Sequence, residues 1–262
     1  MKARYLVLAF LGLSSFGSPL DLSAERSEGT QIQLVVKESF SDFFNKTEES
    51  LKKWANEDSD VMAQFAEFSQ FLEQGLSKKL LAEADAIKVL DAVSFAAEKH
   101  RLQLRKNPQK TPYIIHPLGV ATQIIKIGQV YDRDILIAAL LHDTLEDTTT
   151  TAEEITSSFG KKVAGYVVEM TDDKRLSSKE RKKQQIIHAL HQSKEVAIIK
   201  FSDKLHNLNT LMKDPPEGWT EERMDQYFQW AQAVVENLPA ANESLKSAVH
   251  NSIAKYWEMQ QS

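Results

Sequence analysis

Apolar residues recur at helical spacing along most of the chain. Between residues 84 and 99, Ile87, Leu90, Val93 and Ala97 fall on one side of a helix. The many valines and isoleucines elsewhere show neither a convincing alternation nor an Asn-Gly hairpin signal. The pattern therefore predicts an all-α protein.

Several helix starts are visible as capping residues ahead of apolar runs. Pro117 suits the first position of a helix through residues 120–127. Asp132 or Asp134 can cap the next helix, whose apolar run reaches Leu141. Further starts, each a polar cap before a helical pattern, are expected at Thr151, Ser177, Ser193 or Lys194, Thr220 and Asn242.

Residues 19–80 form a highly polar stretch with aromatic residues near helical spacing. Phe43, Phe44 and Leu51 belong to one such series, and Phe65 and Phe68 to a second. The pattern is typical of an amphipathic helical hairpin. Packing on the core of this chain is the favoured interpretation, and an interface for a partner is the alternative. No catalytic constellation occurs here.

The N-terminus has the pattern of a signal peptide. Lys2 and Arg4 precede an apolar run over residues 5–13, and small residues follow up to Ser18. The alternative is a buried helix, since the run is too short for a membrane span. We expect a signal peptide (1–18), a helical extension (19–80) and a catalytic domain (81–258). The protein would be exported if this interpretation holds and cytoplasmic otherwise.

Composition narrows the possible chemistry. The chain has 262 residues, enough for one sizeable core, and a net charge of −5. That charge argues against a protein that grips a nucleic-acid polymer through its phosphates. With no cysteine, neither a disulfide nor a thiolate metal site is possible. Any metal would be held by His, Asp or Glu, which favours Mn, Fe or Mg.

Candidate chemistry is concentrated in residues 142–147. On a continuous helix, His142 would share a face with Glu146, and Asp143 with Asp147, because each pair is four residues apart. Carboxylates this close repel one another unless a cation neutralises them. The alternative is a solvated acidic helix end, and a His-Asp dipeptide alone matches too often by chance to exclude it.

Two distant residues strengthen the metal interpretation. His116 lies in an apolar setting, and Asp203 follows the apolar run over residues 196–201. Taken singly, His116 could be a satisfied core histidine, and Asp203 could pair with Lys204. One cation with mixed nitrogen and oxygen ligands accounts for the whole set, His116, His142, Asp143 and Asp203. The other histidines, His100, His188, His191, His206 and His250, are taken as non-ligands.

Between about residues 84 and 250 the order of motifs resembles the HD-superfamily hydrolase domain of RelA/SpoT-type proteins, especially its single-domain animal members. The motifs that carry the resemblance are TPYIIHPLGVA (111–121), AALLHDTLEDT (138–148), TDDK (171–174), ERK (180–182), DKLHNL (203–208) and PEGW (216–219). The HD pair alone is a weak signal, whereas this ordered series is specific. One departure is Ser178, where the family has a basic residue.

The resemblance implies an HD-domain helical bundle with one Mn²⁺ bound by His116, His142, Asp143 and Asp203. It implies that Glu146 and Asp147 act on the attacking water and take part in the proton transfers. The residues on the nucleotide side would be Arg105, Lys106, Asn207, Arg223 and Tyr227. Without the resemblance, the two basic residues of the 105–106 pair would be interpreted as a solvated face, and the tyrosine as a core aromatic.

The implied reaction is removal of the 3′-pyrophosphate from guanosine 3′,5′-bis(diphosphate). An alternative within the same chemistry is a phosphatase for the 2′-phosphate of NADPH or another 2′- or 3′-nucleotide. An alternative from another class is a nucleotide-binding module that has lost catalysis. The complete set of ligands and acidic residues favours an enzyme. The partner expected is a small nucleotide, with no membrane span, and the oligomeric state is left open.

Overall fold

The computed structural model describes residues 39–261, and this part of the chain contains twelve helices. They are α1 (Phe40–Trp54), α2 (Ser59–Ser77), α3 (Glu83–Lys99), α4 (Ile115–Lys126), α5 (Arg133–Leu141), α6 (Thr144–Asp147), α7 (Ala152–Phe159), α8 (Lys161–Met170), α9 (Ser178–Ala189), α10 (Lys194–Lys213), α11 (Glu221–Asn237) and α12 (Glu243–Met259). Among these residues, strand-like pairing amounts to one isolated antiparallel bridge between Leu104 and Pro112. The all-α prediction is confirmed.

The predicted signal peptide at residues 1–18 lies outside the described residues. Over residues 39–261, none of the helices combines the length and the apolar character that crossing a bilayer requires.

Most helices begin where the sequence places a capping side chain. Asp132 caps α5, because its carboxylate accepts from the backbone amides of Asp134 and Ile135. The expected caps of α7, α9, α10, α11 and α12 accept in the same way, and their residues are Thr151, Ser177, Ser193, Thr220 and Asn242. Pro117 is the exception, because α4 starts two residues earlier, at Ile115. It still lies in the first turn, where a missing N–H costs little.

Helix α10 packs against five other helices. It contacts α4, α5, α8, α11 and α12, and its residues 196–205 are all buried. Phe201 is among the largest fully buried side chains of the described part. The end of this buried run carries Asp203 and, one turn on, His206 and Asn207. This enclosed helix therefore presents Asp203 and His206 to His116 of α4.

The N-terminal helices pack on the same core. Helix α1 lies against α3, and α2 lies against α4. Phe65, Phe68 and Leu72 of α2 are buried among the core residues of later helices, and the Phe65 ring stacks on Phe44 at 5.3 Å. Packing within this chain, the favoured interpretation, therefore accounts for their apolar face. The functional boundary near residue 80 stays a prediction.

We expect Leu72→Ala to lower the free energy of unfolding by about 2–5 kcal/mol, because the substitution leaves a cavity in a well-packed core. The matched control is Leu80→Ala, eight residues on, whose side chain is 53% exposed. That change should stay within about 0.5 kcal/mol. Urea unfolding of both variants measures the difference. Equal effects would mean that α2 is not part of the core.

Candidate active site

Four predicted metal ligands from three parts of the chain meet at one point. His116 stands on α4, His142 and Asp143 lie between α5 and α6, and Asp203 stands on α10. The ligand atoms of His116, His142 and Asp143 all lie within 4.8 Å of one another. Asp203 Oδ1 lies 3.2 Å from His116 Nε2 and 3.8 Å from His142 Nε2. The structure thus brings together the whole predicted set.

A break in the helix creates this arrangement. The sequence predicted one continuous helix through residues 142–147, and that prediction is wrong, because α5 ends at Leu141 and α6 begins at Thr144. The Thr144 hydroxyl donates to the Leu141 carbonyl at 2.7 Å, and a local bond of this kind competes with the helical pattern. Asp143 adopts φ −97° and ψ −4°, outside the usual helical values. Its carboxylate consequently turns toward His116 instead of following the face of a helix.

His142 is oriented so that its Nε2 points toward the other three predicted ligands. Its Nδ1 donates to the Ala139 carbonyl at 2.8 Å, so in the neutral ring Nε2 carries the lone pair. Nε2 lies 2.9 Å from Asp143 Oδ2 but in an arrangement that is no hydrogen bond, and it is buried without a hydrogen-bond partner in the described residues. Two lone pairs this close repel unless a proton or a cation lies between them.

The close contacts between these groups shift their pKa values. Burial opposes the charged form of His142, but the carboxylates of Asp143 and Asp203 outweigh it and raise the pKa of His142 to about 9. Burial, together with the charge of Arg105, lowers the pKa of His116 to about 4. Burial also works against ionisation of Asp203, yet Lys204 and His116 hold its pKa well below the usual range. A divalent ion would replace the proton on His142, and the donor set fits such an ion.

Two residues missed by the sequence analysis contact the predicted ligands. The Tyr113 hydroxyl donates to Asp143 Oδ2 at 2.6 Å. His206 Nδ1 lies 2.9 Å from His116 Nδ1, on the side of the ring away from the cluster. Burial holds the pKa of His206 well below its ordinary value, so its ring is neutral. His206 thus contacts a predicted ligand, and its position three residues after Asp203 was the available signal.

Glu146 and Asp147 lie beside the cluster in different surroundings. Glu146 Oε2 accepts from the backbone amide of Asp172 at 3.4 Å, and burial, aided by the charges of Asp172 and Asp143, raises the pKa of Glu146. Asp147 accepts from Gln103 Nε2 at 3.1 Å and from Lys174 Nζ at 2.6 Å. One carboxyl group thus tends to keep its proton, whereas a lysine faces the other.

A cavity of about 410 Å³ opens next to Asp147. Of the predicted substrate residues, four line it, namely Arg105, Lys106, Asn207 and Tyr227. Arg105 Nη2 donates to Asn207 Oδ1 at 2.9 Å, and its guanidinium lies 5.3 Å from the Tyr113 ring centre. Arg223 is not among the lining residues. Its guanidinium lies 4.3 Å from the ring centre of Trp219, which does line the cavity.

Comparison with known proteins gives a consistent result. The family model described as "HD domain" matches residues 92–231. The chain is 52% identical over 163 residues to guanosine-3′,5′-bis(diphosphate) 3′-pyrophosphohydrolase MESH1 of Xenopus tropicalis, covering 62% of this chain and 91% of that protein. It is 46% identical over 166 residues to human MESH1, covering 63% and 93% respectively.

A solved structure gives the same relation. A metazoan orthologue of SpoT, described as hydrolysing ppGpp and having a role in starvation responses, is 43% identical in sequence with a TM-score of 0.63. The match covers 64% of this chain and 95% of that one. The similarity extends over nearly the whole length of the shorter protein.

Gly119 tests the support of His116 by His206. A Cβ at Gly119 would lie 2.2 Å from His206 Nε2, so Gly119→Ala must displace that ring and its contact with His116. We expect divalent-ion affinity, measured by titration calorimetry, to fall by about 10–100-fold, as it does when outer contacts of a metal ligand are lost. The control is Gly165→Ala, where no atom lies within 4 Å of the new Cβ. Equal affinity of the two variants would rule out this role for His206.

Proposed function

The chain belongs to the HD-domain family, and on this basis we propose that it is a metal-dependent hydrolase of guanosine 3′,5′-bis(diphosphate) that releases pyrophosphate from the 3′ position. One observation carries the proposal: two imidazole nitrogens and two carboxylate oxygens, from three separate segments, converge beside a cavity with cationic residues. The names of the MESH1 relatives, which are 52% and 46% identical to this chain, supply the substrate.

The proposed metal ligands are His116, His142, Asp143 and Asp203, and the proposed ion is Mn²⁺. Mixed imidazole and carboxylate donors suit Mn²⁺ or Fe²⁺ with positions left for water and substrate. When bound, such an ion supplies Lewis acidity to a phosphoryl oxygen and a source of hydroxide at neutral pH. His142 would be held for this purpose by its bond to Ala139.

Glu146 and Asp147 are proposed to divide the proton transfers. Water would attack the phosphorus atom attached to the ribose 3′ oxygen, and the bond between these two atoms would break. Pyrophosphate is then released, and the ribose oxygen leaves as an alkoxide that needs a proton. Glu146, which retains its proton to higher pH than an ordinary carboxyl group, suits that donor role. Asp147, paired with Lys174, suits the acceptor of the proton that the attacking water loses.

The nucleotide is proposed to lie in the cavity next to Asp147. Arg105 and Lys106 provide positive charge there, and the planar guanidinium of Arg105 can stack on a base or bind phosphate through two nitrogens. Asn207 and Tyr227 supply polar groups on the wall. Arg223 is proposed to contact a phosphate from the rim, beyond Trp219.

The proposal is tested by measuring phosphate and pyrophosphate release with Mn²⁺ from guanosine tetraphosphate, NADPH and other 2′- or 3′-phosphorylated nucleotides. We expect pyrophosphate and GDP from the first substrate. Asp143→Asn should lose more activity than the roughly 10–100-fold that an outer contact costs, because it removes a proposed ligand. Asp91→Asn, which alters a surface pair with Lys88, is the control.

Other outcomes of that screen would overturn the proposal. Orthophosphate release from NADPH without turnover of guanosine tetraphosphate would indicate the 2′-phosphatase. Tight binding of a nucleotide with no product from any of them would indicate a binding module without catalysis.

The metal proposal predicts stabilisation by Mn²⁺. An ion that binds the folded state alone should add about 2.7 kcal/mol to the free energy of unfolding at a concentration 100 times its Kd. Denaturant unfolding of chelator-treated protein, with and without Mn²⁺, measures this gain. Asp203→Asn should reduce it strongly, and Mg²⁺ and Zn²⁺ serve as comparison ions. A gain unchanged in the variant would place the ion elsewhere.

A further inference from the structure

Asp147 is held by side chains that come from both sides of it. Gln103 lies in the loop between α3 and α4, and Lys174 lies in the connection between α8 and α9. We propose that Gln103, itself oriented by His100, acts together with Lys174 as a positioning device that aims Asp147 at the reacting water. This inference rests on the proposed function, in which Asp147 takes a proton from that water.

The orientation of the Gln103 amide follows from its neighbours. The Asp147 carboxylate only accepts hydrogen bonds, so the amide atom 3.1 Å from Asp147 Oδ2 must be Nε2. The amide oxygen then faces His100 Nδ1 at 2.7 Å. His100 must therefore carry its proton on Nδ1 and donate it. The negative charge of Asp147 thus determines the arrangement of both partners.

The surroundings of His100 favour a neutral ring with its proton on Nδ1. It is 2% exposed, and burial lowers its pKa, so the ring is neutral and has one proton. Its Nε2 is buried without a hydrogen-bond partner in the described residues, as expected for the nitrogen that lacks the proton. The ring lies 4.9 Å from the ring of Tyr113, which donates to Asp143. His100 therefore contacts both Gln103, which donates to Asp147, and Tyr113, which donates to Asp143.

The backbone holds Gln103 in register with these groups. The backbone N–H of Gln103 donates to the backbone carbonyl of His100 at 2.8 Å, and the backbone carbonyl of Gln103 accepts from the backbone N–H of Tyr113 at 2.9 Å. The side chain consequently has a fixed origin. Gln103 also lines the cavity beside Asp147, so the device lies next to the space proposed for substrate.

Lys174 completes the restraint on the other oxygen of Asp147. Its Nζ donates to Oδ1 at 2.6 Å, although its side chain is 49% exposed. With one donor on each oxygen, the plane of the carboxylate is defined and the remaining lone pairs are free for water. Among the ionisable groups around Asp147 are Lys174, Glu146, His100 and Tyr113. The cavity that Asp147 lines also contains Arg105, Lys106, Asp214 and Tyr227.

The central experiment compares Gln103→Met with Gln109→Met, an exposed glutamine of the same loop. Met keeps the length of the side chain but cannot donate to Asp147. We expect kcat for guanosine tetraphosphate to fall by about 100-fold in Gln103→Met, the loss typical of a reacting group displaced by an ångström. KM and the melting temperature should change little, and Gln109→Met should match the unaltered protein. A loss confined to KM would make Gln103 a substrate contact instead.

A charge variant is expected to change the pH dependence of kcat, which a purely structural role of Gln103 would leave unchanged. Gln103→Glu places a second carboxyl group beside Asp147, and two adjacent carboxyls do not both ionise readily. The acidic limb of the pH dependence of kcat should therefore move to higher pH. Lys174→Met, which removes a cation from the same carboxylate, should move it in the same direction. An unmoved limb in both variants would overturn the inference.

The role of His100 is tested by a pair of substitutions. His100→Asn keeps an N–H near the place of Nδ1, whereas His100→Phe keeps a ring against Tyr113 without a donor. We expect His100→Asn to retain more of kcat than His100→Phe, with melting temperatures measured for both. The opposite order would show that His100 acts through packing alone.

Failure of the two proposals can be told apart. If the unaltered protein turns over no phosphorylated nucleotide, the proposed function fails. If it is active and Gln103→Met keeps kcat within twofold, the positioning inference fails while the function stands.

Discussion

The site depends on electron-rich atoms being held close together against their mutual repulsion. His116 Nε2 and His142 Nε2 face Asp143 and Asp203 at 2.9–3.8 Å, in a buried place where water screens little. The ordinary relief, turning a side chain away, is opposed by further hydrogen-bond partners, such as the Ala139 carbonyl behind His142 and the His206 ring behind His116. The folded chain therefore contains a site that only a positive charge can stabilise.

This constraint explains features of the fold that would otherwise look like faults. Helix α5 stops at Leu141 although its apolar run is strong, and the break lets Asp143 turn inward. Lys204, almost fully buried, lies 3.0 Å from the outer oxygen of Asp203 and offsets its charge. Since α10 is packed on several sides, neither group can move to solvent. Stability of the scaffold is what keeps the repelling atoms in place.

The sequence was sufficient to predict most helices and to single out the four candidate ligands that lie together, but not the side chains that contact those candidates. Helices follow from apolar spacing and caps, and residues such as His116 and Asp203 stand out because a polar group in an apolar run needs a reason. The contact between His116 and His206 joins residues 90 positions apart, and that of Gln103 with Asp147 joins residues 44 apart. Local patterns contain no information about such pairs. The helix break was missed because local hydrogen bonds by Thr144 override propensity.

The N-terminal helices belong to the same argument about rigidity. Helix α2 packs on α4, which carries His116, and Gln64 Nε2 donates to the Thr122 hydroxyl at 2.9 Å. Burial of each large apolar side chain on α2, such as Phe65 and Phe68, contributes about 1.5–3 kcal/mol. Both residues precede the stretch matched by the family model, which starts at residue 92. Because α4 has α10 on one side and α2 on another, α2 supports the helix that carries His116, the first of the proposed ligands, and this packing accounts for the apolar face of α2.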